Sequence, residues 1–357
     1  MRHFAWETDR EYAAGGATSG SAIASPRSRT AALAVVFFPW RTMDPLRIIF
    51  MGTPELAKVC FQALLERNDF LIVGAVTQPD RPSGRDLKVH PSPVKELALA
   101  RQIPVFQPQR ARSEEFLSQL RTLQPELIAV AAFGQILPQS VLDLPRFGCL
   151  NVHTSLLPKY RGAAPIQWAI LNGESETGVT IMKMNAQMDS GDILTQQRTP
   201  IHPDDNAAIL HDRLAEIGAG LLARTIPEYV TGNLEPRPQA ESETSYAPKI
   251  KKQNGEINWH KPAAVIRNQV RGLVPWPGAF TRISGEAKPQ FLKIWQANVI
   301  RQSGNPGDIL TADKTGIVVA CGEDALQILT LQREGGRQLT AQEFLAGHVV
   351  KVGERLA

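Results

Sequence analysis

The chain has 357 residues, of which 43% are hydrophobic and 21% are charged, with a formal net charge of +4. This composition is that of a soluble globular protein, and the length is sufficient for two domains of ordinary size. The three cysteines, Cys60, Cys149 and Cys321, lie far apart and form no CxxC pair, which argues against a disulfide framework or a zinc site and suits a reducing compartment.

Residues 1–43 differ in composition from the rest of the chain. They are rich in Ala, Ser, Gly and Arg and show no helical or strand period. The apolar run Ala31–Phe38 is far shorter than the ~18 residues that span a membrane. Acidic side chains near the beginning are untypical of a transit or signal peptide. We therefore expect a disordered extension, or an upstream start that leaves Met43 as the natural first residue.

An alternation of strands and helices begins at Leu46. The predicted elements are a strand at Arg47–Met51, a helix at Glu55–Glu66, a strand at Leu71–Thr77, a helix at Ser113–Thr122 and a strand at Glu126–Phe133. Such alternation predicts an α/β fold with a Rossmann-like parallel sheet wrapped by helices, which we place at residues 44–235. The first turn, Gly52-Thr53-Pro54-Glu55, lacks the GxGxxG pattern of a pyrophosphate site, so we predict no dinucleotide cofactor.

A long polar stretch follows the second predicted strand, from Thr77 to Lys95. It contains four prolines and two arginines in nineteen residues, which predicts an exposed loop, and loops of this length are usually functional or disordered. Arg81, Arg85 and Lys88 could contact phosphates, or they could form an ordinary solvated surface. The residues alone leave both interpretations open.

The most informative stretch lies near the middle of the chain. Cys149–His153 predicts a buried strand interrupted by two polar residues, Asn151 and His153. Because strand residues two apart point to the same face, these side chains share a face near the carboxyl end of the strand, where ligands bind in open α/β sheets. The loop Ser155–Pro158 would form a wall of such a site, and Pro165 suits the first turn of the next helix.

A second group of polar residues follows the predicted strand Gly178–Met184. Asp189 and Asp192 lie on either side of a glycine, a pattern typical of turn residues. One of these carboxylates could instead be the partner of His153. A predicted long helix at Asn206–Val230 then closes the domain.

The composition changes after a Pro-rich, polar stretch that predicts a linker at residues 236–250. Short strands then predict a small β-barrel of the oligonucleotide-binding (OB-like) type at residues 251–357. The predicted strands are Glu256–Trp259, Ala279–Ile283, Gln290–Ala297, Gly316–Ala320 and Ala325–Leu331, with helices at Pro262–Gly272 and Thr340–Gly347. Residues 249–357 contain 15 Lys and Arg against 9 Asp and Glu, a charge of +6 that leaves −2 for the preceding residues. This basic region suggests a polyanionic partner, although solubility alone could explain it.

Two kinds of catalysis can be weighed for a strand that carries Cys149, Asn151 and His153. A thiol nucleophile needs its base within ~3 Å, but strand residues four apart are separated by roughly 13 Å, so Cys149 is predicted to be a core residue. Direct acyl transfer needs no nucleophile on the protein. An amide such as Asn151 can stabilise the oxygen on which charge builds, and a histidine can move the proton or donate to that oxygen. A nearby carboxylate would favour the protonated imidazole and fix its orientation.

Several short segments together resemble one enzyme family. They are Phe50–Glu55 (FMGTPE), Thr77–Arg85 (TQPDRPSGR), Pro91–Lys95 (PSPVK), Asn151–His153 with the following Ser-Leu-Leu-Pro, Arg161–Gln167 (RGAAPIQ), Gly178–Met182 (GVTIM) and Asp189–Asp192. This combination resembles the formyltransferases that use 10-formyltetrahydrofolate, and more narrowly those that act on methionyl-tRNA. The resemblance extends from about Leu46 to near the carboxyl terminus.

The resemblance implies an activity and a set of site residues. The activity would be transfer of the formyl group of 10-formyltetrahydrofolate to the α-amino group of methionine on initiator methionyl-tRNA, for translation initiation in the cytoplasm, by a monomer without a metal. The catalytic residues would be Asn151, His153 and Asp189, the folate-binding residues Ser155, Leu156, Leu157 and Pro158, and the tRNA-binding residues Arg81, Arg85 and Lys88. The carboxyl-terminal domain would also bind tRNA.

The chain departs from the family pattern in its extension at residues 1–43 and in Asp86-Leu87, which makes the tRNA loop less basic than usual. Other activities would use the same catalytic residues: formyl transfer to a sugar nucleotide or purine precursor, and release of formate from the folate with water as nucleophile. A tRNA-binding protein without activity is disfavoured by the intact catalytic set.

Overall fold

We describe the fold from a computed structural model, which describes residues 44–83, 88–283 and 290–357. The expected extension at residues 1–43 and the candidate tRNA-binding residue Arg85 lie outside these ranges. From Asp44 onward the chain forms one unit, which contains a seven-stranded and a six-stranded sheet.

The seven-stranded sheet contains the strands predicted for the first part of the chain. Its members, β1 to β7, are Leu46–Gly52, Phe70–Val76, Val105–Phe106, Leu127–Ala131, Cys149–His153, Glu176–Lys183 and Ile193–Pro200. They lie in the order β3-β2-β1-β4-β5-β6-β7. Strands β1 to β5 pair in parallel, whereas β6 is antiparallel to both β5 and β7. The predicted Rossmann-like parallel sheet is confirmed, with an antiparallel strand near one edge.

Within the described ranges, six α-helices accompany this sheet. They are α1 to α6: Glu55–Leu65, Pro93–Ala100, Glu114–Thr122, Gln139–Leu142, Pro165–Leu171 and Ala207–Val230. The long predicted helix is confirmed as α6, and Asn206 is its N-cap, because its side-chain oxygen accepts hydrogen bonds from the N–H groups of Ala208 and Ile209. Among the helices that the structure describes, none is both long and apolar enough to cross a membrane.

The side chains of β1 alternate between two hydrophobic cores, one on each face of the sheet. Ile48 and Phe50 lie in the core that contains α1 and α6, whereas Ile49 and Met51 lie in the core that contains α3. Phe50 stacks on Phe61 of α1, with ring centroids 4.7 Å apart. Because both faces are covered, a parallel strand shows a continuous apolar run in the sequence.

Helix α6 approaches β5 closely. A Cβ atom at Gly218 of α6 would lie 2.8 Å from Cγ1 of Val152, so this approach depends on glycine. Leu150 and Val152 lie in the core on the side of α6. The alternation of strand side chains therefore turns Asn151 and His153 toward the opposite face.

Two short ladders were not expected from the sequence. Arg81–Ser83 pairs antiparallel with Lys88–His90, and α2 follows with Ser92 as its N-cap. The stretch predicted to be one long loop is therefore corrected to a ladder and a helix, elements too short for a clear hydrophobic period. Arg161–Gly162 pairs in parallel with Tyr246–Ala247, so part of the predicted linker lies hydrogen-bonded along the first part of the chain.

The predicted β-rich fold of the carboxyl-terminal part is confirmed as a six-stranded antiparallel sheet. Its strands, β8 to β13, are Ala279–Ile283, Gln290–Ile300, Ile309–Asp313, Gly316–Ala320, Ala325–Arg333 and Gln338–Thr340. The order is β8-β9-β12-β11-β10, with β13 paired to β12. The two helices of this part, α7 (Ala263–Gly272) and α8 (Ala341–Gly347), pack on a core separate from those of the first sheet.

One strand predicted for this part is wrong. Glu256–Trp259 forms only an isolated bridge, next to which the N–H of Ile257 donates to the carbonyl oxygen of Phe280. Ile257 and Trp259 are nevertheless buried, and this alternating burial explains the strand-like pattern. Strand β13 was missed because it has three residues with one apolar side chain. Strand β10 was missed because its apolar residues, Ile309, Leu310 and Ala312, do not alternate strictly with polar ones.

The carboxyl-terminal part contacts the first part through α7. Arg271 donates to the carbonyl oxygens of His202 and Asp205, at 3.1 and 3.2 Å, and Arg267 donates to that of Pro203 at 2.8 Å. Basic side chains of α7 thus bind the turn that precedes α6. The boundaries of the two domains and of the linker at 236–250 stay a prediction.

Candidate active site

The candidate site is built on the carboxyl end of β5. Asn151 is half-buried, and His153 is 5% exposed. Their Cα atoms, two residues apart on a strand, are separated by about 6.6 Å. The residues paired with them in β6 are Met182 and Thr180, and directly paired residues share a face of the sheet. The polar side chains of β5 therefore lie together on the face opposite α6.

The ring of His153 has a fixed orientation. Its Nε2 lies 2.9 Å from the carbonyl oxygen of Tyr160, and because a carbonyl oxygen only accepts, Nε2–H is the donor. The neutral tautomer therefore carries its lone pair on Nδ1. Tyr160 is itself anchored, since its hydroxyl donates to Glu174 at 2.7 Å. Burial raises the pKa of Tyr160 to about 12, so its phenol stays neutral.

Asp189 faces the other nitrogen of this ring. Its Oδ2 lies 3.7 Å from Nδ1 of His153, and its side chain is 17% exposed. The same oxygen accepts a hydrogen bond of 2.8 Å from the N–H of Gly162. Gly162 has a φ of 123°, and a Cβ atom there would lie 2.7 Å from the carbonyl oxygen of Ala247. The donor to Asp189 therefore has to be a glycine.

Asp192, the second candidate carboxylate, contacts the neighbouring strand through its backbone. Its carbonyl oxygen accepts from the N–H of Lys183 at 2.8 Å, which closes the turn into β7. Within the described ranges, the ion-pair contact of His153 is with Asp189 and not with Asp192.

The side-chain amide of Asn151 is available to a substrate. The hydrogen bonds of the neighbouring groups join His153 to Tyr160 and Asp189 to Gly162. As far as the chain is described, none uses the Asn151 amide, which is half-exposed on the same face. An amide N–H in such a position can donate to an oxygen on which charge develops.

The predicted folate-binding loop is held in place by β6 and β7. The hydroxyl of Thr180 donates to the carbonyl oxygen of Ser155 at 2.7 Å and accepts from the N–H of Leu157 at 3.1 Å. Gln196 donates to the carbonyl oxygen of Leu157 at 2.8 Å. The sequence did not single out these two supporting residues. A signal was present for Thr180, because it is a polar residue within an apolar strand.

Alternate residues of this loop present their side chains to solvent. Ser155 is fully buried and Leu157 is 3% exposed, and the hydroxyl of Ser155 donates to the carbonyl oxygen of Lys159 at 2.6 Å. Leu156 and Pro158 are half-exposed. Of the four residues predicted to bind folate, these two have side chains open to a ligand.

Cys149 belongs to the core. Its Sγ lies 3.8 Å from the carbonyl oxygen of Val141, and burial raises the pKa of the thiol to about 12, so it stays protonated at neutral pH. Such a thiol is a poor nucleophile. The described residues contain no group of three or more His, Cys, Asp or Glu that could hold a metal ion.

The structure describes part of the predicted tRNA-binding loop. Arg81 is exposed at the beginning of the short ladder, and Lys88 begins its second strand. The base of the ladder is fixed by Asp80, which accepts hydrogen bonds from Lys95 and, at 2.7 Å, from Gln107. The hydrogen bond from Lys95 holds the pKa of Asp80 below its usual value, so this carboxyl group is ionised at neutral pH.

Most of the chain is similar in sequence to known proteins. Residues 46–226 match the formyl transferase family, and residues 249–349 match the formyl transferase C-terminal domain. A methionyl-tRNA formyltransferase from Trichlorobacter lovleyi is 50% identical over 314 residues, which cover 88% of this chain and 98% of that protein.

Solved structures share the fold at lower identity. HypX from Aquifex aeolicus in complex with tetrahydrofolic acid has a TM-score of 0.55 and 18% identity, and the match covers 87% of this chain and 50% of that one. An N-formyltransferase from Helicobacter canadensis in complex with folinic acid and dTDP-3-aminofucose has a TM-score of 0.58 and 19% identity, over 79% of this chain and 99% of that one.

Proposed function

The chain belongs to the formyl transferase family, and from this premise we propose that it transfers the formyl group of 10-formyltetrahydrofolate to the α-amino group of methionine on initiator methionyl-tRNA. The observation that carries the proposal is the arrangement at the end of β5, where an available amide, an oriented imidazole and a carboxylate meet. The curated relative that is 50% identical over nearly its whole length is named for this activity.

The reaction exchanges one C–N bond for another. The amine nitrogen of methionine bonds to the formyl carbon, the bond from that carbon to N10 of the folate breaks, and one proton passes from the amine to N10. Asn151 donates its amide N–H to the formyl oxygen, where negative charge builds during attack. Nδ1 of His153 accepts the proton from the amine and returns it to the leaving nitrogen.

Two further contacts make this division of roles possible. Because Nε2–H of His153 is engaged with the carbonyl oxygen of Tyr160 at 2.9 Å, Nδ1 is the nitrogen left to move a proton. Asp189, whose Oδ2 lies 3.7 Å from Nδ1, stabilises the imidazolium that exists between the two proton transfers.

Exposed apolar side chains that follow β4 and β5 or precede Asp189 in the chain suit a folate site. Leu156 and Pro158 are half-exposed, and Ile136 and Met188 are 77% and 62% exposed. Ile136 follows β4, the neighbour of β5, and Met188 directly precedes Asp189. Apolar side chains of this kind, with a few polar groups, typically line sites for flat ring systems. The similar structures of HypX and of the Helicobacter enzyme were solved with tetrahydrofolic acid and folinic acid.

The tRNA partner is supported by charge. Residues 249–357 carry a net charge of +6, and Arg81 is exposed at the base of the short ladder. We assign tRNA binding to Arg81, Arg85 and Lys88 together with the basic carboxyl-terminal part, because arginine and lysine bind phosphates without regard to sequence. We place the reaction in the cytoplasm, which the free cysteines suit, and expect a monomer to suffice because all three catalytic residues come from one chain.

The test is formyl transfer with the purified full-length chain. We expect formylmethionyl-tRNA from 10-formyltetrahydrofolate and charged initiator tRNA, and no product with uncharged tRNA. Release of formate without transfer would favour a hydrolase. Transfer to an amino sugar nucleotide in place of the tRNA would favour the sugar-directed alternative.

A further inference from the structure

We propose that Gln239, in the segment predicted to be a linker, is a positioning residue for the catalytic carboxylate of Asp189. The proposal rests on the role of Asp189 in the proposed function. Gln239 lies between the two matched family regions, which end at residue 226 and begin at residue 249. Neither comparison therefore assigns it a role.

The side-chain amide of Gln239 forms hydrogen bonds through both its nitrogen and its oxygen. Its Nε2 donates to the carbonyl oxygens of Asp189 and Gly191, at 2.8 and 2.7 Å, and its Oε1 accepts from Nε of Arg161 at 3.0 Å. The orientation of the amide is fixed, because a carbonyl only accepts and a guanidinium only donates. The side chain of Gln239 thus joins the loop that carries Asp189 to Arg161, the first residue of the ladder between Arg161–Gly162 and Tyr246–Ala247.

Arg161 is a rigid support for this contact. Its side chain is 4% exposed, and its two terminal nitrogens donate to the carboxylate of Glu241 at 3.2 and 2.8 Å. A guanidinium that is buried and donates to a carboxylate through both terminal nitrogens has little rotational freedom. The Oε1 of Gln239 therefore accepts from a guanidinium that Glu241 holds in place. Glu241 itself lies two residues after Gln239 in the sequence.

Asp189 needs such support because its backbone conformation is unusual. It has a φ of 50°, a left-handed conformation that residues other than glycine rarely adopt unless their surroundings impose it. The N–H of Gly162 holds the carboxylate at 2.8 Å, while Gln239 holds the backbone on either side of Ser190. The two contacts together fix the distance from the carboxylate to Nδ1 of His153.

The segment around Gln239 is also tied down by its backbone. Arg237 and Ile193 exchange two hydrogen bonds, of 2.8 and 2.9 Å, just after the loop of Asp189. Tyr246–Ala247 pairs with Arg161–Gly162, the ladder that supplies the N–H donor to Asp189. Gln239 therefore acts from a segment that is anchored on both of its sides.

The test is a double-mutant cycle in the full-length chain. Gln239→Glu keeps the acceptor for Arg161 but replaces the N–H donors with an oxygen that faces two carbonyl oxygens. If Gln239 acts through Asp189, kcat should fall by about 10²-fold, the effect of a ~1 Å misplacement, while KM for methionyl-tRNA and for the folate stays within a factor of two. In the Asp189→Asn background the same change should cost less than twofold in single-turnover rate.

An equal loss in both backgrounds would overturn the proposal, since a purely structural role does not depend on the charge of Asp189. Gln239→Asn, which is too short to reach both carbonyl groups, provides the same cycle if the glutamate variant does not fold. Gln119→Glu, the same chemical change at an exposed position of α3, should leave kcat unchanged. An inactive wild-type chain would refute the proposed function, whereas an active wild type with an additive cycle refutes only the role of Gln239.

Discussion

The catalytic use of a histidine depends on which ring nitrogen is free, and here a backbone carbonyl decides it. Tyr160 engages Nε2 of His153, so the lone pair of the neutral ring lies on the side of Asp189. A backbone group of the segment that follows β5, and not a second side chain, determines which nitrogen is free. The tautomer therefore does not depend on the identity of the surrounding side chains.

Replacing His153 by alanine tests the proton-transfer role. We expect kcat to fall by about 10²–10⁴-fold because no group then moves the proton, with KM for the folate little changed. The carbonyl oxygen of Tyr160 loses its donor, so the free energy of unfolding should also fall by about 1–3 kcal/mol. Turnover of the purified variant and its urea unfolding curve measure the two effects. His211→Ala, on α6, is the matched control, and near-normal turnover of the His153 variant would contradict the assignment.

The two carboxylates of the Asp189–Asp192 segment are distinguished by removing one charge at a time. Asp189→Asn keeps an acceptor for the N–H of Gly162 but removes the charge beside Nδ1 of His153. We expect kcat to fall by about 10²-fold or more, because the imidazolium formed in the reaction is no longer stabilised. Asp192→Asn should change kcat by less than a factor of three. If Asp192 is the more sensitive position, the catalytic carboxylate has been misassigned.

Among the structural elements, the turn before α6 joins the two parts of the molecule. Arg213 donates to both carboxylate oxygens of Asp205, at 2.8 and 2.6 Å, and the N–H of His202 adds a bond of 2.7 Å. Burial alone would raise the pKa of Asp205, but these hydrogen bonds outweigh it and hold the pKa below its usual value. The carbonyl oxygen of the same residue accepts from Arg271 of α7.

This turn should make stability depend on pH in a defined direction. Because the folded-state pKa of Asp205 is lowered, its contribution is present above the unfolded-state value of ~3.9 and is lost as the pH falls through the folded value. Asp205→Asn should therefore reduce the free energy of unfolding by about 1–3 kcal/mol at pH 7, and the difference from wild type should shrink below about pH 4. Urea unfolding at several pH values measures it. Asp204→Asn, a fully exposed neighbour, should show no such trend, and a constant difference at Asp205 would contradict this account.

The elements that the sequence predicts are those specified by local pattern. The apolar run of β1, the spacing and N-cap of α6, and the polar pair in β5 are all local, and the structure contains each of them. Asp189 was identified by resemblance, since spacing alone left two carboxylates. Gln239 could not be predicted, because its contacts join residues about fifty positions apart and a lone glutamine in a Pro-rich stretch has no periodic signal.

At the scale of the whole molecule, charge is distributed unevenly along the chain. The carboxyl-terminal part begins with an exposed basic cluster at Lys249, Lys251 and Lys252. This cluster directly follows the segment that contacts the loops of the candidate active site. A phosphate backbone bound there would contact residues that directly follow, in the chain, the segment in contact with the proposed site.

Salt dependence tests whether this cluster binds tRNA. Each phosphate contact releases counterions, so log affinity falls with log salt by up to about 0.9 per contact. Changing Lys249, Lys251 and Lys252 together to Gln should weaken tRNA binding and make the slope shallower by about 1–3, with folate affinity unchanged. The control changes three exposed arginines of the first part to Gln, Arg101, Arg112 and Arg121, which alters the net charge equally. Identical slopes for the two variants would show that net charge alone, and not a binding surface, attracts the tRNA.

The ladder between Arg161–Gly162 and Tyr246–Ala247 also has a consequence for synthesis of the protein. The chain leaves the ribosome amino terminus first, and domains generally fold in that order. Asn151, His153 and Asp189 emerge early, but Tyr246 and Ala247, which close the ladder, each follow the residue they pair with, Arg161 and Gly162, by 85 positions. We therefore expect a nascent chain that has exposed the three proposed catalytic residues to stay inactive until the segment up to residue 247 has emerged and paired, because Gly162, the donor to Asp189, lies in this ladder.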